Sequence, residues 1–215
     1  MKLNKKQKNA IYYIVPLIGF LFLFVYFIIA GTNQVAAKTY EKINLRQTIL
    51  SKEENRIDFI FWSDCGACYG LTKAMNEWLS TKKHITLNKI PAAGGGWDVD
   101  AKLYYTMSEI AGIRINGLYD NYIDAIHIQK TLRNFSSKQE FIMKNLNITQ
   151  EQFNDVFNSQ SVSSKVNKAR EIGWRLDIRS VPQLIVNGEY YINMQAFDSY
   201  DELFNEIERI IREKP

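Results

Sequence analysis

Arg56-Ile57-Asp58-Phe59-Ile60-Phe61-Trp62-Ser63-Asp64-Cys65-Gly66-Ala67-Cys68 is the stretch on which the fold turns. Its first seven residues, rich in aromatic and β-branched side chains, predict a short buried strand. Beyond it Leu71, Met75, Trp78 and Leu79 recur at helical spacing and form one apolar face. The two cysteines of the chain therefore fall where a strand turns into a helix.

Working outward, residues 84–90 alternate as a second β element that ends at Pro91, followed by the Gly94–Gly96 loop. Strand, helix, strand is the crossover unit of a parallel sheet. From Asp98 to about Arg179 the apolar stripes are helical. They include Leu103, Met107, Ile110 and Ala111, then Tyr119, Tyr122, Ile123 and Ile126, then Val162, Val166, Ala169, Ile172 and Leu176. Thr149, with Gln152 three residues on, predicts a reciprocal helix cap. β character returns at residues 182–186, Asn187-Gly188 predicts a hairpin turn, and residues 189–192 supply its partner strand. An amphipathic helix carrying Phe197, Tyr200, Leu203, Phe204, Ile207 and Ile211 closes the chain. An α/β chain interrupted by an all-helical block implies an inserted helical subdomain. Towards the N-terminus, residues 38–55 read as a polar linker leading into a first strand near residues 43–50.

The 215 residues carry a formal charge of +4, concentrated at Lys2, Lys5, Lys6 and Lys8. Without these four, basic and acidic residues balance at 23 each. This leaves no basic face of the kind nucleic-acid binding requires. The lysines precede residues 11–31, an uncharged apolar run about long enough to span a bilayer. By the positive-inside rule the N-terminus stays cytoplasmic and the remainder is exported. The run reads as an uncleaved anchor or, alternatively, as a signal peptide cut after Val35-Ala36-Ala37. Either way residues 38–215 meet an environment in which disulfides persist.

At a helix N-terminus Cys65 would lie beside unpaired backbone N–H groups and the positive end of the helix dipole, both of which favour thiolate. Cys68, one turn on, would be shielded. An exposed nucleophile beside a buried resolving thiol suits disulfide exchange. A purely structural CxxC disulfide closes too small a loop to stabilise much. A closed zinc site needs about four ligands, and only the distant His84 and His127 could join the cysteines; neither is given a role. No metal or cofactor is expected. A second feature, Ser180-Val181-Pro182-Gln183, places a proline at the start of a strand, where the missing N–H is tolerated and a turn can hold a cis bond.

The strand into Cys65-x-x-Cys68-Tyr69, the Gly94–Gly96 loop, the helical block from Asp98, and Val181-Pro182 followed by Val186-Asn187-Gly188 together resemble the DsbA family of thiol:disulfide oxidoreductases. The resemblance implies a thioredoxin-like fold divided into residues 56–97 and 180–215 around a helical insertion at 98–179. Residues 1–10, 11–31 and 32–55 would serve as tail, anchor and linker. It implies a nucleophilic Cys65, a resolving Cys68, and a cis Pro182 whose neighbour Val181 pairs with a bound substrate chain through its backbone. The expected partners are exported cysteine-containing proteins and a membrane redox partner, either a quinone-linked oxidase of the DsbB type or an electron donor. With no room for a dimerisation domain, a monomer is expected.

Two departures from the family pattern matter. Gly66-Ala67 replaces the family's Pro-His between the cysteines, and Asp64 should disfavour a Cys65 thiolate by like-charge repulsion. Both leave open a reductase or isomerase beside the oxidase reading; a non-redox assembly module is the third alternative. The family's buried acid near the active site has its nearest counterpart in Asp58. That residue is displaced by one position, which in a strand turns the side chain to the other face; the other reading is a solvated residue at the strand start.

Overall fold

The computed structural model describes residues 38–44 and 50–215. The apolar run at 11–31 and the cleavage position at 35–37 lie outside them. Among the described residues no helix is long and apolar enough to cross a membrane.

Five strands form one mixed sheet: β1 (Tyr40–Lys42), β2 (Arg56–Phe61), β3 (Thr86–Pro91), β4 (Gln183–Val186) and β5 (Tyr190–Ile192). Their spatial order is β1-β5-β4-β2-β3. β2 and β3 are parallel, with Phe59 opposite Lys89, and are joined by helix α1 (Gly66–Ser80) as the crossover. β2 and β4 are antiparallel, with Phe59 opposite Leu184. The β4–β5 hairpin turns at Asn187 and Gly188, whose φ angles of 55° and 68° suit the right-handed twist of the strands it joins.

Among the described residues the first strand precedes the stretch near 43–50 that the sequence suggests, of which residues 45–49 lie outside them. β1 occupies Tyr40–Lys42 and pairs antiparallel with β5, and Ile43 donates its N–H to the Glu189 carbonyl at 2.7 Å as the chain leaves the sheet. Tyr40 fixes this register by packing edge-on against Tyr190, with ring centroids 5.5 Å apart.

β2 is buried on both faces, which explains its nearly continuous apolar sequence. Ile57, Phe59 and Phe61 point to one face, where Leu71 and Met75 of α1 pack with Leu203, Phe204 and Ile207 of the C-terminal helix α7 (Tyr200–Glu213). Ile60 points to the opposite face with Ile90, Ile185, Ala169 and Ile172.

Five α-helices lie between β3 and β4. They are α2 (Asp98–Ala111), α3 (Ile115–His127), α4 (Phe135–Leu146), α5 (Gln150–Phe157) and α6 (Gln160–Arg175). Reciprocal caps start α4 at Asn134 with Ser137, and α5 at Thr149 with Gln152. Tyr104 and Tyr119, from α2 and α3, meet Phe61 edge-on with centroids 5.1 and 5.2 Å away. The insertion and the sheet thus share one core directly behind the end of β2. This is the thioredoxin-like fold with its helical insertion.

Candidate active site

The end of β2 delivers the chain to Cys65 through a tight turn in which Cys65 donates its N–H to the Trp62 carbonyl at 3.1 Å. Cys65 is the N-cap of α1, with extended backbone, and its sulfur accepts the N–H of Cys68 at 3.2 Å. A hydroxyl or carboxylate usually fills this capping role; here the sulfur takes it, beside the positive end of the helix. Cys65 is half-exposed. Cys68 is buried among the core side chains, and both are free thiols. Burial, followed by the contact with the Cys65 sulfur, pushes the Cys68 thiol far above its ordinary range. One sulfur is reachable and the other is kept protonated.

The Val181–Pro182 peptide bond is cis. It lies against the cysteines, with the Cys65 thiol 3.7 Å from the Val181 carbonyl oxygen as a long, weak donor contact. Val181 and Pro182 are half-buried and lead directly into β4. Gly66 and Ala67 face solvent, and a Cβ added at Gly66 would meet no heavy atom within 4 Å.

Asp64 does not stand as an isolated negative charge. Its two carboxylate oxygens accept from Lys138 Nζ at 2.7 and 2.9 Å, and the same ammonium donates to Asp100 Oδ1 at 2.7 Å. Trp62 Nε1 donates to the other Asp100 oxygen at 2.7 Å. Between them, the Ser63 carbonyl accepts from His127 Nε2 at 2.8 Å, and the Ser63 and Tyr119 hydroxyls are 3.5 Å apart. Because a carbonyl only accepts, this contact places a proton on His127 Nε2. The His127 ring also lies 4.9 Å from that of Tyr69, whose hydroxyl donates to Asp124 at 3.0 Å.

Asp58 is not a solvated residue at the strand start. It is fully buried, on the sheet face opposite Cys68, where Oδ1 accepts from Arg56 Nε at 3.0 Å, Arg56 Nη2 at 2.9 Å and Asn88 Nδ2 at 2.7 Å. Its Oδ2 has no partner among the described residues. The one-residue displacement in β2 turns it to the far face, and the flanking Arg56 makes burial of its charge tolerable.

A thiol at a helix start, its buried partner one turn on and a cis-proline loop against them are the arrangement that a thioredoxin-like fold gives a CxxC. Within that class the chain is DsbA-like, as the comparisons with known proteins bear out. No protein-family model matches the chain. The thiol:disulfide interchange protein DsbA of Azotobacter vinelandii is 28% identical over 138 residues, 63% of each chain. The DsbA of Pseudomonas aeruginosa strain PAO1 is 22% identical over 176 residues, 79% of this chain and 81% of the relative. The first of these matches spans just under two thirds of the relative's length. Among solved structures, Pseudomonas aeruginosa DsbA superposes with a TM-score of 0.69 at 19% identity, covering 85% of this chain and 95% of that one. The Xylella fastidiosa oxidoreductase DsbA gives 0.70 at 18% identity, covering 84% and 97%.

Proposed function

We propose that this chain is an extracytoplasmic thiol:disulfide oxidoreductase that introduces disulfides into exported proteins through Cys65 and Cys68. The observation that carries the reading is the asymmetry of the two sulfurs. Cys65 is half-exposed, its sulfur accepts the Cys68 N–H as the helix cap and lies 3.7 Å from the Val181 carbonyl; Cys68 is buried.

In the forward reaction a substrate thiolate attacks Cys65 Sγ of the Cys65–Cys68 disulfide. The S–S bond breaks, Cys68 leaves as a thiolate and takes up a proton, and Cys65 holds the substrate as a mixed disulfide. A second substrate thiolate then attacks the substrate's own sulfur in that bond, expelling the Cys65 thiolate. The substrate has lost two electrons and the protein dithiol has gained them. Val181 and Pro182 would hold the substrate backbone alongside. A membrane redox partner, quinone-linked as in the DsbB type, would reoxidise the dithiol, and residues 11–31 would keep the protein at that membrane.

The test is to mix the oxidised full chain, in detergent, with a reduced and unfolded protein of known disulfide content and to count disulfides gained by mass spectrometry. Stoichiometric transfer of one disulfide per protein supports the oxidase. The opposite direction is suggested by Gly66-Ala67, which place no histidine between the cysteines to stabilise a Cys65 thiolate, and would appear as reductive cleavage of insulin disulfides by the dithiol form. No transfer in either direction would sink both readings.

A further inference from the structure

The three residues that precede Cys65 are each tied to a different helix of the insertion. Trp62 is bonded to Asp100 at the start of α2, Ser63 to His127 at the end of α3, and Asp64 to Lys138 in the first turns of α4. The Lys138 side chain is 7% exposed, against 11% for Asp100 and 34% for Asp64. A lysine so buried would lose its hydration without recompense unless it met carboxylates. It meets two, 38 and 74 residues away in sequence.

We propose that Lys138 is a positioning residue for Cys65: it neutralises Asp64 at the neighbouring position, holds the loop that aims the sulfur, and so sets how strongly oxidising the Cys65–Cys68 pair is. The inference rests on reading Cys65 as the exchanging thiol. A simple structural tie between α4 and the loop would need only one carboxylate and no particular place for it. Here the ammonium sits between Asp100, which also fixes Trp62, and the one carboxylate adjacent to the nucleophile.

Its electrostatic consequence follows from geometry. Side chains on adjacent residues carry their charges roughly 6–8 Å apart, and in a half-exposed site one unit charge at that range changes a thiolate equilibrium by roughly fivefold to tenfold. Removing the ammonium leaves Asp64 to oppose a thiolate at Cys65. This weakens the reduced form and makes the disulfide a poorer oxidant.

The experiment uses the full chain in detergent, as wild type, Lys138→Met, Lys138→Arg, Asp64→Asn and the double variant Asp64→Asn/Lys138→Met. Each is equilibrated with glutathione, in the balanced exchange of protein dithiol plus oxidised glutathione for protein disulfide plus two reduced glutathiones. The alkylation rate of Cys65 at pH 7 and a thermal melt accompany each. Lys138→Met is expected to shift the equilibrium toward disulfide by about fivefold to tenfold, equivalent to about 20–30 mV, and to slow alkylation. Lys138→Arg should stay within about twofold of wild type. Asp64→Asn should shift the equilibrium the other way, and in the double variant it should reverse most of the Lys138→Met effect.

Should Lys138→Met fail to fold, Asp64→Asn carries the test, because its carboxylate is partly exposed and its loss leaves Lys138 paired with Asp100. A folded Lys138→Met, or an Asp64→Asn, with wild-type equilibrium and alkylation rate overturns the proposal. If the wild type does not exchange with glutathione at all, it is the functional reading that fails; the alkylation rates still decide the role of Lys138.

Discussion

Replacing Gly188 by alanine should destabilise the fold without changing the thiol chemistry. Gly188 ends the turn between β4 and β5 with φ of +68°, a conformation that a residue with a Cβ adopts at a cost of roughly 1–2 kcal/mol. The added Cβ would also fall 2.6 Å from the Ser51 carbonyl oxygen and 3.1 Å from its carbon. These are backbone atoms, which cannot rotate aside as a side-chain end would, and crowding of this kind costs roughly 1–3 kcal/mol. Together the two effects predict a loss of about 2–5 kcal/mol, or roughly 5–20 °C in melting temperature for a folded unit of this size. The turn lies at the end of β4 remote from Pro182, four strand residues away, so the glutathione equilibrium should be unaltered. Thermal melts monitored by circular dichroism, paired with that equilibrium, read both quantities. Gly188→Asn separates the two causes, because asparagine tolerates positive φ but keeps the clash. A melting temperature for Gly188→Ala within about 2 °C of wild type would refute the reasoning, since Ser51 could not then lie against the turn.

Three further outcomes are expected. Arg56→Met strands the buried Asp58 carboxylate with Asn88 as its remaining partner. It should cost about 2–4 kcal/mol in urea unfolding, on the lower side of such losses because the guanidinium side chain is 16% exposed; Arg56→Met/Asp58→Leu should recover most of it. The Arg209 guanidinium, opposed by burial and helped by Thr39, holds the Glu206 carboxyl below the usual carboxylate range. The native state therefore binds fewer protons there than the unfolded chain. The resulting stability is fully present above about pH 4.5 and is lost as pH falls through the depressed value, so Glu206→Gln should flatten the acid side of a stability profile taken from pH 7 to pH 3. Finally, the raised Cys68 thiol should escape brief alkylation of the reduced protein at pH 8 while Cys65 is modified. Peptide mapping that finds equal labelling would contradict the burial of Cys68.

Much of this architecture can be read from local pattern. The apolar strand β2, the stripe of α1 and the Asn187-Gly188 turn each declare themselves within a dozen residues, because periodicity and turn chemistry are short-range properties. The cysteines and Pro182 are legible for the same reason: each sits at an element boundary. What the sequence conceals is side-chain pairing across long separations. Nothing in the spacing marks Lys138, 74 residues beyond Asp64, as its counter-ion, or His127 as the donor to Ser63. The Asp64 charge is thus met by an ammonium that the sequence around it does not announce. β1 leaves no mark in the sequence because three residues beside β5 give little periodic signal. Asp58 shows a different limit. Alternation correctly turns it from the cysteines, but burial of its charge depends on Asn88 arriving from β3.

The open space above Gly66 has a consequence for how this scaffold can vary. Gly66 is the first residue of α1, a position where proline is well accommodated, and the dipeptide it forms with Ala67 projects into solvent. Side chains can be exchanged at these two positions without repacking the interior. On the proposed reading of Cys65 and Cys68 as the exchanging pair, architecture and chemical output are thereby modular: substitution at two outward-facing residues would act on the pair while the sheet, the insertion and the lysine-anchored loop behind them stay as they are.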